Sequence, residues 1–156
     1  MKEMLLTKGK VALVDDEDYK FLIQWKWNFS STGYAARNGG TYKKRKNIKM
    51  HRLIMRATSG MEVDHINGNR LDNRRCNLRI CTRSQNHCNV GLSSRNTSGF
   101  KGIVFDYKTW NAKITKNGKR IHLGCFKNKE DAARAYDRAA KELFGEFAKL
   151  NFNEEK

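Results

Sequence analysis

The chain has 156 residues, of which 32 are Lys or Arg and 16 are Asp or Glu, so its formal net charge is +16. No apolar run approaches the roughly 20 residues that a membrane-spanning helix needs, which excludes an integral membrane helix. A positive charge of this size concentrates polyanions at the surface, so nucleic acid is the first candidate partner and an anionic membrane surface the second. Basic residues outnumber acidic ones on both sides of residue 97, so both parts of the chain share this property.

The N-terminus and the cysteines bear on the compartment. The first ten residues, MKEMLLTKGK, contain neither a long apolar stretch nor a small-residue cleavage site, so they do not predict a signal peptide. The four cysteines form no C-x-x-C pair, which argues against a four-cysteine zinc site. We therefore expect free thiols in a reducing compartment, the cytoplasm, which is that of the host cell if a phage encodes the protein.

The first part of the chain predicts a β-rich region. Val11–Val14 has the pattern of a short apolar strand, and the acidic turn Asp16–Asp18 predicts the cap of a short helix. Further along, Tyr34–Arg37 and Ile48–Met55 predict the two strands of a hairpin, with Gly39-Gly40 as its turn.

The next segment predicts a strand, a loop, a strand and a helix in that order. EVDH and LRIC are strand-like, whereas the intervening INGNRLDNRRCN is too polar and too rich in Gly and Asn to be anything but a loop. The sequence TRSQ is a capping box, which predicts a short helix directly after the second strand. Asp64 and His65 then lie on the first strand, and Asn86 lies in the helix.

These side chains suit the cleavage of a phosphodiester. The reaction needs a nucleophilic water, charge compensation on the phosphate and stabilisation of the leaving oxygen. A histidine near its ordinary pKa serves the first need, and a Mg²⁺-type ion serves the other two. Such an ion prefers oxygen ligands, so Asp64 and the amide oxygen of Asn86 could hold it while DNA phosphate completes its shell. Because neighbours on an ideal strand point to opposite faces, we expect a bend or bulge that lets Asp64 and His65 act on one phosphate.

The segment VDHINGNRLDNRRCNLRICTRSQN resembles the HNH motif of the ββα-metal nucleases, which include the homing endonucleases. The first histidine of the motif matches His65, its middle asparagine matches Asn77, and its last position matches Asn86, where this chain has Asn instead of His. The resemblance implies His65 as general base, Asp64 and Asn86 as ligands of Mg²⁺ or Mn²⁺, and Asn77 as the residue that ties the loop to the strands and helps orient His65. The upstream MHRLIM and YKFLIQWKW also resemble segments that precede this motif in phage endonucleases.

Each of these residues has a plainer alternative. His65 could be a hydrogen-bonded strand histidine, and Asn86 could be an ordinary helix residue. We expect phosphate contacts from at least two of the loop arginines, although the loop could simply be solvated. These arginines are Arg70, Arg74, Arg75 and Arg79. His51 and His87 are not expected to be metal ligands.

After a linker at Asn89–Gly99, the chain predicts three strands and one helix. FKGIVFD, TWNAKITKN and KRIHLGCF are strand-like, and Asn117-Gly118 between the last two is a hairpin signal. Apolar residues then recur at helical spacing, with Asn128 as the N-cap and Gly145 as the C-terminal stop. The pattern predicts one sheet with one helix packed on it.

This second part is similar, over nearly its whole length, to the ethylene-response-factor (Apetala) DNA-binding domain of plants. The resemblance rests on Lys101-Gly102, Trp110, Leu123-Gly124, the helix EDAARAYDRAA and the final LNF. It implies that the three-stranded sheet lies in the major groove of DNA while the helix packs behind it. The positions that match the DNA contacts of that family are Lys101, Val104, Trp110, Lys113, Thr115, Arg120 and His122.

Strand alternation gives this sheet one apolar and one polar face. Ala112 and Ile114 are expected to face the helix, whereas Lys113 and Thr115 share the opposite face, which stays open for a ligand. Several contact residues of the family are replaced here, Val104 and Lys113 among them, so the binding mode carries over and the target sequence does not.

We therefore expect an α+β fold with an N-terminal β-rich region, a ββα-metal HNH unit, and a three-stranded antiparallel sheet packed on one helix. The predicted domains are an HNH nuclease domain at 1–90, with its ββα-metal core at about 61–90, and an Apetala-like DNA-binding domain at 98–153. The expected function is a metal-dependent, site-preferring DNA endonuclease of the homing type, which nicks double-stranded DNA as a monomer or homodimer without a small-molecule cofactor.

Two other functions remain open at this point. One is a DNA-binding regulator in which the HNH segment is an inactive scaffold. The other is a basic protein that binds RNA or a membrane surface, although no basic amphipathic helix supports membrane binding. Cleavage of DNA in the presence of Mg²⁺ or Mn²⁺ separates the first alternative from a nuclease, and competition between RNA and DNA tests the second.

Overall fold

The computed structural model describes residues 1–41 and 44–152, except for the side chain of Arg45. The chain divides into two compact units, Met1–Asn86 and His87–Lys156. The fold is mixed α+β, as predicted. The segment predicted as a linker belongs to the second unit, and Asn153, the last residue of the predicted second domain, lies outside the described residues.

The first unit begins with a hairpin and a short helix. Strand β1 (Lys2–Leu5) pairs antiparallel with β2 (Val11–Val14), and helix α1 (Asp16–Leu22) follows directly. The predicted strand and helix are confirmed here, although the N-cap is Asp15 and the acidic turn forms the first turn of the helix itself. Acidic side chains in a first turn are favourable because the N-terminal end of a helix is positive.

A three-stranded antiparallel sheet follows, formed by β3 (Asn28–Phe29), β4 (Ala35–Thr41) and β5 (Lys44–Lys49). The prediction that Gly39-Gly40 forms the turn is wrong, because both glycines lie inside β4 and pair with residues of β5. A bulky residue cannot replace Gly39 easily, since an added Cβ would collide with the side chain of Ile48.

The second predicted strand of this hairpin is also shorter than expected. It ends at Lys49, and the chain then forms helix α2 (Met50–Ile54). The prediction of one strand at Ile48–Met55 is therefore wrong beyond Lys49. Short apolar runs do not distinguish a strand from a buried helix, and here the helical turn buries Met50, His51 and Ile54 together.

One apolar core holds the first unit together. Burial of a large apolar side chain such as Leu, Ile, Val or Met contributes about 1.5–3 kcal/mol to the stability of the fold. Its buried members are spread along the whole unit, from the first strand to the segment after helix α2: Met4, Leu6, Ala12, Val14, Leu22, Trp27, Ala35, Met50, Ile54, Val63 and Leu78.

The predicted strand–loop–strand–helix unit is confirmed. Strands β6 (Glu62–His65) and β7 (Leu78–Cys81) form an antiparallel hairpin, and helix α3 (Arg83–Cys88) follows. The capping box is present: the amide of Thr82 donates to Gln85 Oε1 at 2.8 Å, and the amide of Gln85 donates to Thr82 Oγ1 at 3.3 Å.

The long loop of this hairpin is anchored on β2. The amide of Leu13 donates to the carbonyl of Leu71 at 2.8 Å, and the amide of Asn73 donates to the carbonyl of Leu13 at 2.8 Å. These two bonds fix the middle of the loop against the N-terminal hairpin, so its polar side chains have defined positions.

The second unit matches its prediction closely. Strands β8 (Ile103–Asp106), β9 (Thr109–Lys116) and β10 (Lys119–Phe126) form an antiparallel sheet with β9 in the centre. Asn117 and Gly118, with φ of 51° and 76°, form the two-residue turn that the sequence predicts.

Helix α4 (Lys129–Phe144) packs across one face of this sheet. The helix face that contacts the sheet consists of small residues, which allows close packing. Ala132, Ala133 and Ala140 are almost wholly buried there, against Ala112 and Ile114 of β9. The approach is close enough that a Cβ on residue 102, a glycine with φ of 77°, would collide with the ring of Tyr136. Glycine is thus required at that position.

A buried carboxylate closes the second unit. Asp137 on α4 accepts hydrogen bonds from the amides of Asn151 and Phe152, at 2.8 and 2.9 Å. Asn151 in turn accepts from the amide of Lys101 at 2.6 Å. These bonds bring the LNF sequence next to the Lys101-Gly102 sequence in space, although the two are far apart in the chain.

No helix in the described part of the chain is long and apolar enough to cross a membrane. The four cysteines are free thiols, as predicted: Cys81 is buried, Cys88 is partly buried, and Cys76 and Cys125 are exposed.

Candidate active site and DNA-binding face

His65, the last residue of β6, lies in a cluster of three aromatic rings. It is only 5% exposed. Its ring centroid is 5.0 Å from that of His51, with the ring planes nearly perpendicular, and 5.9 Å from that of Tyr34. Its Nε2 lies 3.5 Å from Oδ1 of Asn73. Helix α2, the residue before β4 and the anchored loop therefore all contribute to holding this imidazole.

Burial sets the protonation state of both histidines. Desolvation lowers the pKa of His65, and the neighbouring Asn73 amide and the Asp64 carboxylate only partly oppose it. The pKa of His51 falls to about 3, mainly because of burial and then because of the positive charge around it. Both imidazoles are thus neutral near pH 7, and a neutral imidazole is the form that can accept a proton.

Asp64 faces the other side of the hairpin. The register of β6 and β7 runs without a shift from the Glu62–Cys81 pair to the His65–Leu78 pair, so the expectation of a bulge at Asp64 and His65 is wrong. Asp64 meets Arg79 directly across the ladder: its Oδ2 lies 2.6 Å from Nη2 and 2.8 Å from Nε of the guanidinium. Asp64 and His65 accordingly have different neighbours, although they are adjacent in the chain.

Asn86 joins this second face of the hairpin. Its Nδ2 donates a short hydrogen bond to Oε2 of Glu62. Glu62 lies two residues before Asp64 and therefore points to the same side of β6. Two carboxylates and one amide thus share the region where β6 meets α3.

The donor chemistry of Asp64, Glu62 and Asn86 fits a hard divalent cation, which takes carboxylate and amide oxygens and retains several waters. Within residues 1–41 and 44–152, no group of three or more His, Cys, Asp or Glu side chains is placed to hold a metal ion. The protein would then supply few ligands. Arg79 already occupies Oδ2 of Asp64, so a cation bound by this carboxylate would have to compete with the guanidinium.

Asn77 spans the loop between β6 and β7. Its Oδ1 accepts from the amide of Asn67 at 3.0 Å, and its Nδ2 donates to the carbonyl of Asp72 at 2.8 Å. These bonds tie the two ends of the loop together. The amide that lies against His65, however, belongs to Asn73, which is wholly buried.

Arg74 and Arg75 are held by carboxylates of the protein. Arg74 forms two bonds of 2.7 Å with Asp72, a residue that is 2% exposed. Arg75 forms bonds of 2.8 and 2.7 Å with Asp18 on α1. These ion pairs stabilise the fold of the loop and compensate the charge of both guanidiniums.

Arg70 differs from the other loop arginines. Its Nη1 donates to the carbonyl of Thr32 at 2.8 Å, and its Cζ lies 4.9 Å from the centroid of the Tyr34 ring. No ion pair involves it among the residues that the structure describes. Of the four loop arginines from which phosphate contacts are expected, Arg70 is therefore the one whose charge is left for a ligand.

In the second unit, the predicted contact residues on β9 and β10 share one face. Ala112 and Ile114 are buried towards α4, so Lys113 and Thr115 point the other way, as predicted. Register places Thr115 opposite Arg120 and Lys113 opposite His122. Val104, on β8, is 53% exposed and lies on the same face through its pairing with Asn111.

Lys101 and Trp110 do not join this face. Nζ of Lys101 donates to the carbonyls of Cys88 and Val90, each at 2.7 Å, and burial lowers its pKa. Trp110 lies on the face of β9 opposite to that of Lys113. It packs on the apolar core, where its ring centroid lies 4.8 Å from that of Phe105. The structure therefore gives both residues a place in the fold of the unit.

Comparison with known proteins identifies the family. A model of HNH endonucleases matches residues 49–88. An uncharacterized HNH endonuclease of Acanthamoeba polyphaga mimivirus is 33% identical over 150 residues, which cover 92% of this chain and 76% of that protein. The chain belongs to the HNH endonuclease family. It is also 34% identical over 93 residues to protein 3.8 of Escherichia phage T7, covering 58% of this chain and 76% of that protein.

The C-terminal part of this HNH endonuclease carries an Apetala-like DNA-binding domain. An AP2-like ethylene-responsive transcription factor of Arabidopsis thaliana is 40% identical over 56 residues, which are 36% of this chain and 13% of the plant protein. The protein is thus a nuclease with DNA as its partner, and its family generally uses divalent metals. The regulator without catalysis is accordingly the weaker alternative.

The sequence does not indicate the role of several residues at the site. It predicts no metal-binding role for His51, places Glu62 on a strand and Asn73 in a loop, and assigns Lys49 and Tyr34 to a hairpin without a function. A local signal existed only for Asn73, which lies within the polar loop of the motif. The others reach the site through tertiary packing, which residue spacing does not reveal.

Proposed function

We propose that this HNH endonuclease is of the homing type and cuts one strand of double-stranded DNA per active site, with a preference for particular sites. The observation that carries the proposal is the position of His65: a neutral, buried imidazole at the end of β6, next to Asp64 on the same strand and close to Asn86 on α3. One such constellation per chain accounts for one cut. Two cuts would need two copies of the chain.

His65 acts as the general base. Because burial keeps its imidazole neutral near pH 7, a ring nitrogen can accept the proton of a water that attacks the phosphorus. Asn73 and the His51 ring restrict the orientation of the imidazole, so its lone pair is directed before DNA binds. Asn77 contributes by keeping the loop that bears Asn73 closed.

Asp64 and Asn86 are the proposed ligands of Mg²⁺ or Mn²⁺. When bound, the metal would compensate charge on the phosphate and stabilise the leaving oxygen. Glu62 orients Asn86 through the hydrogen bond to its amide nitrogen, so the amide oxygen is the atom that would bind a cation. Because so few protein ligands are present, DNA phosphate and water complete the shell, and metal affinity should rise when DNA is bound.

The second unit supplies most of the site preference. Lys113, Thr115, Arg120 and His122 form a polar row on the open face of a twisted antiparallel sheet, a surface that fits the major groove. We assign the nuclease to residues 1–90 and this reading function to residues 98–153. The protein works inside the cell, as a monomer or homodimer, and needs no small-molecule cofactor.

The test is end-mapping of cleaved DNA. Supercoiled plasmid and one long linear duplex are incubated with the protein and Mg²⁺ or Mn²⁺, and the ends are sequenced. The expected product is relaxed circular DNA with 5′-phosphate and 3′-hydroxyl ends at a small set of sites on one strand. Paired cuts on both strands at low protein concentration would contradict the nicking assignment, and evenly scattered ends would contradict the site preference.

A further inference from the structure

The cations of the first unit are not equally available to DNA. Arg74, Arg75 and Arg79 are each held by a carboxylate at 2.6–2.7 Å, so their charge is already compensated within the protein. Lys49, at the end of β5, and Arg70, in the loop of the motif, take part in no ion pair among the residues that the structure describes. Lys49 and Arg70 therefore supply uncompensated positive charge close to the catalytic residue of the first unit.

Lys49 and Arg70 meet at the ring of Tyr34. The Lys49 Nζ lies 4.7 Å from the ring centroid and the Arg70 Cζ lies 4.9 Å from it. Attraction to the negative face of an aromatic ring holds cations in place, which here offsets the mutual repulsion of two like charges. The bond from Arg70 to the Thr32 carbonyl fixes the guanidinium further and uses only one of its donors.

The same ring packs against the catalytic histidine. The Tyr34 centroid lies 5.9 Å from that of His65 and 4.8 Å from that of His51. Two cations without a counter-charge create a positive potential beside His65, and an anion bound next to them would relieve their repulsion. The anion that the partner of this protein carries in a regular row is the DNA phosphate.

We propose that Lys49 and Arg70, held by Tyr34, form a phosphate subsite that binds the DNA strand next to the bond at which His65 acts. The inference rests on the proposed function for the identity of His65 as the base. Arg70 offers its planar group to two oxygens of one phosphate, and Lys49 acts as a point charge on a neighbouring one. Because both side chains are fixed relative to His65, the subsite sets which phosphodiester reaches the imidazole.

The test uses the salt dependence of DNA binding by the full-length protein. Binding to a short duplex of mixed sequence is measured by fluorescence anisotropy in EDTA, over a range of KCl concentrations. Each phosphate contact contributes about 0.9 to the slope of log K against log salt. We expect Lys49→Gln and Arg70→Gln each to reduce the magnitude of the slope by about 0.9, and the double variant to reduce it by about 1.8. Lys49→Arg keeps the charge and should retain the wild-type slope.

Arg74→Gln is the matched control, because it removes the same charge from the same loop. Its guanidinium is already compensated by Asp72, so the slope should stay at the wild-type value while the midpoint of thermal unfolding falls. An unchanged slope in Lys49→Gln, Arg70→Gln and their double variant would overturn the subsite. A loss of slope in Arg74→Gln equal to that in Arg70→Gln would also overturn it, because ion pairing would then not decide which cations bind DNA.

A cleavage assay on the same proteins separates this inference from the proposed function. If the wild-type protein cuts DNA and the slopes do not change, only the subsite is wrong. If the slopes change as expected but the wild-type protein does not cut DNA in the presence of Mg²⁺ or of Mn²⁺, the phosphate contacts stand and the catalytic assignment fails. If both hold, Lys49→Gln and Arg70→Gln should require more DNA for half-maximal cleavage.

Discussion

The two units of this nuclease place their polar side chains in opposite locations. In the HNH unit, the residues of the motif are inside: Asp64, His65, Asp72, Asn73 and Asn77 are each at most 6% exposed. In the Apetala-like unit the core between sheet and helix consists of alanine and larger apolar residues, with Asp137 buried at its edge, and the polar row is on the open face of the sheet. A buried polar group is tolerated only when it is hydrogen-bonded. Chemistry and stability are therefore coupled in the first unit, whereas DNA reading and stability are separable in the second.

The largest expected effect is on catalysis. His65→Ala removes the proposed general base, which costs about 10²–10⁴-fold in rate. DNA binding should persist, because the proposed phosphate contacts lie on other residues. The measurement pairs single-turnover nicking of supercoiled plasmid with anisotropy binding in EDTA.

His87→Ala is the control for this variant, since His87 is exposed and lies outside the ring cluster. It should cut at the wild-type rate. A wild-type cleavage rate in His65→Ala would remove His65 from the catalytic role and would leave the buried ring cluster as a purely structural feature.

The second effect concerns the metal. Asp64→Asn and Asn86→Ala should each raise the Mg²⁺ concentration for half-maximal cleavage by at least about tenfold, because only these two protein ligands are proposed for the ion. The two variants should differ in stability. Asp64→Asn also leaves the nearly buried Arg79 without its counter-charge and should lower the free energy of unfolding, while Asn86→Ala should not.

Glu130→Gln on α4 serves as the control, because it removes one exposed carboxylate from the second unit. Its Mg²⁺ titration should match that of the wild type. If either test variant titrates like the wild type, the residue concerned is not a ligand.

A third experiment tests the coupling directly through stability. Asp72→Ala removes a buried acceptor that holds Arg74 and Asn67, so it should lower the free energy of unfolding of the first unit by about 2–4 kcal/mol. Asp106→Ala, at an exposed position of β8, should change stability by no more than about 0.5 kcal/mol. Urea denaturation followed by circular dichroism measures both; equal effects would show that the polar interior of the HNH unit carries no special weight.

The local parts of this architecture could be predicted from the sequence. The β6–β7 hairpin and α3 are fixed by alternation and by the reciprocal Thr82–Gln85 capping box, which are short-range signals. The hairpin of the second unit follows from Asn117-Gly118 for the same reason. Helix α2 was missed because an apolar run of this length fits either a strand or a helical turn, and packing against the core decides between them.

The roles of the charged residues could not be predicted, because they depend on contacts distant in sequence. Arg75 is paired with Asp18, which is 57 positions away, and Arg70 reaches the carbonyl of Thr32, 38 positions away. Composition indicated that some loop arginines contact phosphate. Only the fold distinguishes those that already have a carboxylate from the one that does not.

The pH dependence of stability is the fourth test. The pKa of His51 is about 3 in the folded protein and has its ordinary value of 6.5 when unfolded. The unfolded state therefore binds more protons below pH 6.5, so stability is fully present above that pH and is lost as the pH falls towards 3. At about pH 5 the loss should be about 2 kcal/mol, and the lowered pKa of His65 acts in the same direction.

His51→Phe keeps a ring against His65 and removes the titrating group, so it should flatten this dependence by the same amount. Chemical denaturation at a series of pH values gives the measurement. A wild-type protein that is equally stable at pH 5 and pH 7, or a variant with an unchanged pH dependence, would contradict the assignment of His51 as a buried neutral imidazole.

The smallest effect on stability is expected on the open sheet of the second unit, and it tests the other half of the comparison. Lys113 and Arg120 lie on the face away from α4 and take part in no ion pair among the residues that the structure describes. Lys113→Gln and Arg120→Gln should thus leave the free energy of unfolding within about 0.5 kcal/mol of the wild type. Each should nevertheless reduce the salt slope of DNA binding by about 0.9 if it contacts a phosphate, or leave the slope unchanged and broaden the set of cut sites if it contacts a base. End-mapping on one long duplex, combined with urea denaturation, distinguishes these outcomes. A variant that unfolds as easily as Asp72→Ala, or one that binds and cuts like the wild type in every respect, would show that the open face of this sheet is not where the protein reads DNA.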